Sequence, residues 1–177
     1  MTSTAEFFSW VEAQLAEANA ATATPCRAGC SWCCRGNVPP VSLAEQEWLT
    51  TGLATWDPAA LAEVQAKARE IVAFGIDEGP AMTAGNLPCP LLDERTDQCR
   101  AYEHRPLACR LFGASTIEPG WHFGCDAVQL QLALSGQSLL PINAILQPFE
   151  QRTSPPERIT LARFLAEFDT ARASARG

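Results

Sequence analysis

The chain is poor in the residues on which most enzyme and nucleic-acid signatures rest. Its 177 residues include two histidines and one tyrosine. No Ser-His-Asp order, no helical zinc-protease motif and no phosphate-binding loop appears. No glycine-rich loop follows a predicted strand, which excludes methyl transfer through a Rossmann-like domain. Positive charge is scarce as well, with 13 Lys+Arg against 20 Asp+Glu and a formal net charge of −7. Nucleic-acid binding depends on Lys and Arg neutralising phosphates, so this balance argues against a nucleic-acid partner. No apolar stretch approaches the ~18 residues of a membrane-spanning helix, so no membrane partner is expected. What the chain does have is an ordinary apolar share of 47%, enough to exclude a disordered chain, and eight cysteines. The cysteines are the one compositional signal that points at chemistry.

Their meaning depends on compartment. Met1 to Trp10 carry no basic run and no long apolar run, and Glu6, Glu12 and Glu17 recur at helical intervals. The N-terminal stretch is therefore expected to be an amphipathic helix rather than an export signal, and the protein cytoplasmic. In a reducing compartment disulfides rarely persist, and clustered cysteines read as metal binding or redox chemistry. Adjacent Cys33 and Cys34 also suit two ordinary disulfides poorly, since each bridge needs its own partner geometry.

The expected fold is mostly α: a small single domain, 1–177, with short irregular or β-hairpin segments around a cysteine-ligated metal centre. By composition it divides into an N-terminal helix (1–20), a cysteine-cluster core (26–125) and C-terminal helices (126–177). Phe7, Phe8, Val11 and Leu15 form the apolar side of the first helix. Ser42-Leu43-Ala44-Glu45 is a capping-box sequence opening a short helix through Trp48 and Leu49. Asp57-Pro58 starts a longer helix through Leu61, Val64, Ala68 and Ile71, closing near Gly75. Asp126 is placed to cap a helix that stops at Gly136, and Ser154-Pro155-Pro156-Glu157 to open the last, with Ile159, Leu161, Phe164, Leu165 and Phe168 on its apolar side. Short strand signals occur at Val38 to Val41, Leu91-Leu92 and Leu111-Phe112.

The first cysteine cluster is Cys26-Arg-Ala-Gly-Cys30-Ser-Trp-Cys33-Cys34. Were residues 25–35 one helix, all four sulfurs would share a face about 100° wide. Cys26 and Cys34 would then lie about 12 Å apart along the axis, whereas thiolates on one zinc are only ~4 Å apart. One ion cannot take both ends of a straight helix; the helix breaks, an end stays unligated, or there are two metal positions. The second cluster places Asp93-Glu94-Arg95-Thr96-Asp97 as a polar turn between Cys89 and Cys99, a hairpin that returns one towards the other. Pro106 then turns the chain and aims Cys109 back at the same place, and Cys125 stands at the junction with the C-terminal helices. A single helix face cannot surround a metal, so the two clusters are expected to meet in space. Nearness to a helix N-terminus favours Cys26 and Cys30 over Cys34 as primary ligands, and Cys125 could simply pack.

The combination CxxxCxxCC, CPxL and CxxYxxRPxxCR resembles the bacterial cysteine-cluster proteins described as zinc- or iron-chelating domains, the YkgJ-like family. The matching residues are Cys26, Cys30, Cys33, Cys34, Cys89, Pro90, Leu91, Cys99, Tyr102, Arg105, Pro106, Cys109 and Arg110. The resemblance implies metal chelation, and a related branch includes flagellin lysine methylases. The first reading is thus a metal-binding protein holding a zinc or iron ion through Cys26, Cys30, Cys33, Cys34, Cys89, Cys99, Cys109 and Cys125. The second is an iron–sulfur redox or protein-modifying enzyme acting on a protein partner. Cys26-x3-Cys30-x2-Cys33 is also the spacing of radical S-adenosylmethionine enzymes, but those need most of a (β/α) barrel, and strands do not alternate with helices here. Softness suits the thiolates to zinc, iron–sulfur clusters and copper(I) alike. A four-thiolate zinc site carries charge −2, and Arg27, Arg35, Arg100, Arg105 and Arg110 all lie within a few residues of a cysteine. Arg105 and Arg110 are candidates to offset that charge, and the Tyr102 hydroxyl to donate to a thiolate. His104 reads as a surface residue and His122, between Trp121 and Phe123, as a satisfied core or pocket residue.

Residues 76–125 are loop-rich, and metal binding at small thiolate sites is worth about 10–16 kcal/mol. Complete metal removal is therefore expected to melt this region while the terminal helices persist. Hydrogen exchange at 85–115 with and without metal measures this; unchanged exchange there would count against a structural metal.

Overall fold

The computed structural model describes residues 3–24, 26, 29–75, 81–82, 87–152 and 158–169. The fold is mostly α with short strands, as expected, and the chain divides into two compact units. One combines Met1–Cys30 with Leu107–Pro156, the other Ser31–Pro106 with Glu157–Gly177. Elements are numbered along the chain.

In the first unit, α1 (Thr4–Ala18) opens on a capping box in which Ser3 and Glu6 each accept the other's backbone N–H. It buries the four apolar residues that the helical spacing picks out, Phe7, Phe8, Val11 and Leu15. α5 (Leu107–Leu111) leads into a hairpin of β6 (Ser115–Glu118) and β7 (Trp121–Phe123), and β8 (Leu140–Pro141) joins β6 in parallel. Between them α6 (Asp126–Ser135) stops at Gly136, whose φ of +64° is left-handed. Asn19 ties the pieces together: its amide donates to the Ala114 carbonyl at 2.8 Å and its oxygen accepts from Leu140 N–H at 3.2 Å. α7 (Asn143–Arg152) packs Phe149 against Phe7, ring centroids 5.3 Å apart.

The second unit begins with α2 (Trp32–Gly36), followed by β1 (Asn37–Val38), β2 (Pro40–Ser42), α3 (Leu43–Leu53) and α4 (Pro58–Ala73). β1 pairs antiparallel with β3 (Ala81–Met82), and β4 (Leu92–Asp93) with β5 (Gln98–Cys99). β9 (Arg158–Thr160) pairs with β2, Val41 opposite Ile159, and α8 (Leu161–Glu167) then packs on α4. Val41, Leu49, Val64, Ile71, Leu91 and Leu165 centre this unit's core, each at most 1% exposed. Burying each such large aliphatic contributes roughly 1.5–3 kcal/mol. No helix among the described residues is long and apolar enough to cross a membrane.

The start signals at Ser42 and Asp57 hold to the residue, Asp57 Oδ1 accepting from both Ala59 and Ala60 N–H. Two expectations are corrected. Leu111 ends α5 and Phe112 follows in a turn, so no strand forms there; Phe112 N–H bonds back to the Ala108 carbonyl at 3.0 Å. The last helix begins at Leu161 with Thr160 as its cap, and Ile159 lies in a strand because β2 offers an edge on which 158–160 pair. The opening proposed at 154–157 lies outside the described residues. α7 was not anticipated, since Pro148 stands inside it and removes a backbone donor.

Ser42 and Glu45 are almost fully buried, with Ser42 Oγ donating to Glu45 Oε2 at 2.6 Å and Ser42 N–H to the same oxygen at 2.8 Å. Ser42→Ala removes a cap and one partner of a buried carboxylate, and is expected to cost about 1–2 kcal/mol. Urea unfolding should show a lower midpoint at unchanged slope.

Candidate metal centre

The four cysteines of the first cluster do not share a helix face. The helix there spans only Trp32–Gly36, and Gly29 takes a φ of +83°, a left-handed conformation that a right-handed helix cannot accommodate. Cys26 and Cys30 thus precede the helix, while Pro25, Arg27 and Ala28 lie outside the described residues. The helix N-terminus expected beside both cysteines adjoins Cys30 alone, which directly precedes Ser31, the cap residue of the one-turn α2. Cys33 and Cys34 are in α2, and their sulfurs stand 3.9 Å apart. Two thiolates on one zinc at ~2.3 Å are about 3.8 Å apart in a tetrahedron. The pair already has the spacing of one tetrahedral edge.

α2 is anchored by a side-chain clip that the sequence did not disclose. Ser31 Oγ donates to Asp97 Oδ1 at 2.7 Å, Arg35 Nε donates to Ser31 Oγ at 3.0 Å, and the Arg35 guanidinium meets the same Asp97 oxygen at 2.5 Å. The Ser31 hydroxyl and then the Arg35 charge hold the Asp97 carboxyl below its usual range. Asp97 closes the turn of the β4–β5 hairpin with a φ of +56°, a conformation that Asp tolerates better than most residues. The clip therefore joins the short cysteine helix to the hairpin carrying Cys99. The polar 93–97 segment was legible as a turn, but no local signal pairs Ser31 with Asp97, 66 positions away.

Backbone bonds bring the second cluster to the first. Cys89 N–H donates to the Cys34 carbonyl at 2.7 Å, and the Cys89 carbonyl accepts from Leu92 N–H at 2.9 Å. Leu92 in turn faces Cys99 across the hairpin, so the expected return of Cys99 towards Cys89 is what the strands do. Cys89 is 5% exposed within the unit's core, and Cys34 and Cys99 pack against that same core. Burial, followed by the neighbouring thiolates of Cys99 and Cys33, pushes the Cys89 thiol up to about 12. Cys33 moves the other way, down to about 7, chiefly because its thiolate accepts a hydrogen bond from Cys34, with a smaller contribution from the Arg105 cation. Arg105 also lies over the Tyr102 ring, 4.1 Å from its centroid, while Tyr102 itself is exposed.

The other four cysteines fall in the first unit. Cys26 and Cys125 pack against a buried cluster of Val128, Leu132 and Leu139. Cys26 rests on Gly113, where any Cβ would collide with its sulfur and where φ is +76°. Cys125 is the residue that caps α6, one position before the Asp126 expected from the sequence. Cys109 lies half-buried in α5, and Cys30 is exposed. Arg110 pairs with Glu12 and stands 4.9 Å from the Phe8 ring centroid. His122 is buried with Nδ1 2.9 Å from Thr116 Oγ1, a satisfied core histidine. His104, expected at the surface, is half-buried, stacked 4.6 Å from the Trp48 ring and laid against Gly52. Among the described residues no three Cys, His, Asp or Glu side chains form a group that could hold an ion.

Residues 25–130 match a family model, CxxCxxCC, described as "putative zinc- or iron-chelating domain". No curated protein and no solved structure matches the chain. The first spacing here, Cys26-x3-Cys30, is one residue longer than the family's pattern, and the longer spacing ends at the left-handed Gly29.

The two thiol environments predict an order of reactivity. In reduced, metal-free protein the Cys33 thiol, brought down to about 7, ionises far more readily than Cys89, and less so as pH drops below 7. Buried Cys89 stays a thiol throughout this range. Iodoacetamide labelling followed by peptide mass mapping is expected to modify Cys33 well before Cys89; equal rates would contradict the assigned environments.

Proposed function

The chain belongs to this CxxCxxCC cysteine-cluster family, and from that premise we propose that it chelates a zinc or iron ion through its clustered cysteines, as a structural or metal-handling protein. The observation that carries this reading is the 3.9 Å separation of the Cys33 and Cys34 sulfurs, beside a backbone bond from Cys89 to Cys34. The donor set fits the group in its chemistry: Cys33, Cys34, Cys89 and Cys99 are soft thiols of one unit, Cys89 buried in its core and Cys34 and Cys99 packed against it. Cys33 and Cys34 would hold the ion together with Cys89 and Cys99 from the hairpin segment. When bound, the ion supplies a cross-link between α2 and the β4–β5 hairpin and stabilises the thiolate form of its ligands.

The chain's own residues prepare for that charge. Four thiolates on a divalent ion leave a net −2, and the Arg105 cation faces Cys33 from the segment that follows the hairpin. The Tyr102 ring lies against the Arg105 guanidinium, 4.1 Å from ring centroid to Cζ, which orients it without consuming its charge.

Elemental analysis of the full chain purified without oxygen is expected to find zinc or iron in stoichiometric amount. Cys34→Ser should lower zinc affinity by more than about 100-fold in competition with a chromophoric chelator, a larger effect than loss of an outer residue. Broad visible absorption with inorganic sulfide would identify an iron–sulfur cluster in place of a single ion. A protein that contains neither metal and takes up neither would overturn the reading.

A further inference from the structure

We propose that Cys33 and Cys34 are a modification site, a dithiol that a hydroperoxide oxidises to a disulfide between the two neighbours and that a thiol reductant restores. The inference stands on the metal-free chain and does not depend on the chelation reading. The two sulfurs are 3.9 Å apart, near contact, and a bond brings them to about 2.05 Å. Both side chains are half-buried and open to a molecule as small as a peroxide, whereas Cys89 is enclosed in the core. The reaction uses these two thiols and one equivalent of oxidant. One sulfur takes the terminal oxygen of the hydroperoxide as the O–O bond breaks. It becomes a sulfenic acid, and the oxidant leaves as an alcohol or water. The other sulfur then attacks the sulfenic sulfur, forming the S–S bond and expelling water. The two thiols lose two electrons, and the peroxide gains them.

Adjacency decides what kind of bond results. Consecutive Cα atoms stand about 3.8 Å apart, less than the roughly 4.4–6.8 Å that ordinary disulfides span. The bridge is therefore strained, and strain makes a disulfide easily reduced, the property of a labile or regulatory bond. The backbone around the pair can yield to it. α2 is a short helix of five residues, and its cap residue Ser31 makes no side-chain cap hydrogen bond. A helix sets consecutive side chains about 100° apart around its axis, so closing the bridge turns the peptide between Cys33 and Cys34 out of helical geometry. The bond from Arg35 N–H to the Ser31 carbonyl, 3.0 Å long, spans the pair and is the one this change opens. The ends stay in place, because Ser31 and Arg35 are both held by Asp97, at 2.7 and 2.5 Å. The change is carried inward by the Cys34 carbonyl, which accepts from Cys89 N–H at 2.7 Å. Oxidation thus reaches the buried segment that leads into the hairpin. Sulfurs joined to each other are also no longer thiolates, so the bridge and any ligation by this pair exclude one another.

The test treats reduced, metal-free full-length protein with hydrogen peroxide, then alkylates and cleaves it with trypsin. Arg27 and Arg35 bracket a peptide holding Cys30, Cys33 and Cys34. Tandem mass spectrometry is expected to find Cys33 joined to Cys34 with Cys30 alkylated, and the same bridge in Cys30→Ser. A glutathione buffer should return both thiols, and the Cys89 amide should exchange hydrogen faster in the oxidised form than in the reduced one. In Cys34→Ser a sulfenic acid on Cys33 has no neighbouring thiol to resolve it and should be trapped by dimedone, whereas the wild type should give little adduct. A bridge from Cys33 or Cys34 to Cys30, Cys89 or Cys99 would overturn the inference. So would oxidation of Cys33 to a sulfinic acid beside an intact Cys34, or a Cys33–Cys34 bond that glutathione leaves untouched. With no metal present, none of these outcomes bears on chelation.

Discussion

The backbone hydrogen bond from Cys89 N–H to the Cys34 carbonyl, at 2.7 Å, is the contact through which the cysteine motifs become a site. It joins the end of a one-turn helix to the strand-forming segment before the hairpin, so the two cannot drift apart without losing a buried bond. Leaving such a donor unsatisfied in the core costs about 1–3 kcal/mol. The Ser31–Arg35–Asp97 clip acts on the other side of the same joint. Together they fix α2 against the hairpin with hydrogen bonds made by the protein alone.

Burial does the remaining sorting. Cys89, enclosed among Leu91, Ala101 and their neighbours, is held as a neutral thiol, whereas Cys33 shares a hydrogen bond with Cys34 and feels Arg105. One set of side chains therefore spans a range of thiol acidities, and the difference lies in environment rather than residue type. A metal's charge is the partner that would equalise them, since it stabilises every thiolate it touches. In the first unit the same purpose is served by sterics: Gly113 and Gly124 remove side chains where sulfur and valine need the space.

Helix starts were legible because capping is local. Ser3, Ser42 and Asp57 satisfy backbone donors within three residues, so the signal and the structure lie in one window. The hairpin returning Cys99 to Cys89 was legible for the same reason, through the polar run 93–97. Of the alternatives that the cysteine spacing left open for residues 25–35, the helix breaks: Gly29 at +83° interrupts the face that one helix would have shared. Ile159 was misread because its strand depends on β2, which no window around residue 159 contains. α7 was missed because a proline inside a helix is a local contradiction that packing of Ile145 and Phe149 overrides.

Membership of a cysteine-cluster, zinc- or iron-chelating family was determined by the sequence itself, since it rests on the order and spacing of short motifs within 25–130. So was the mostly α class, which follows from apolar periodicity and caps. Which cysteines stand together was decided only by tertiary structure. Cys30 and Cys33 are three residues apart yet belong to different units, while Cys34 and Cys89 meet through a backbone bond. The physical reason is that a thiol's neighbours are set by long-range hydrogen bonds and by where a glycine leaves room, and neither has a signature within a few residues of the sulfur.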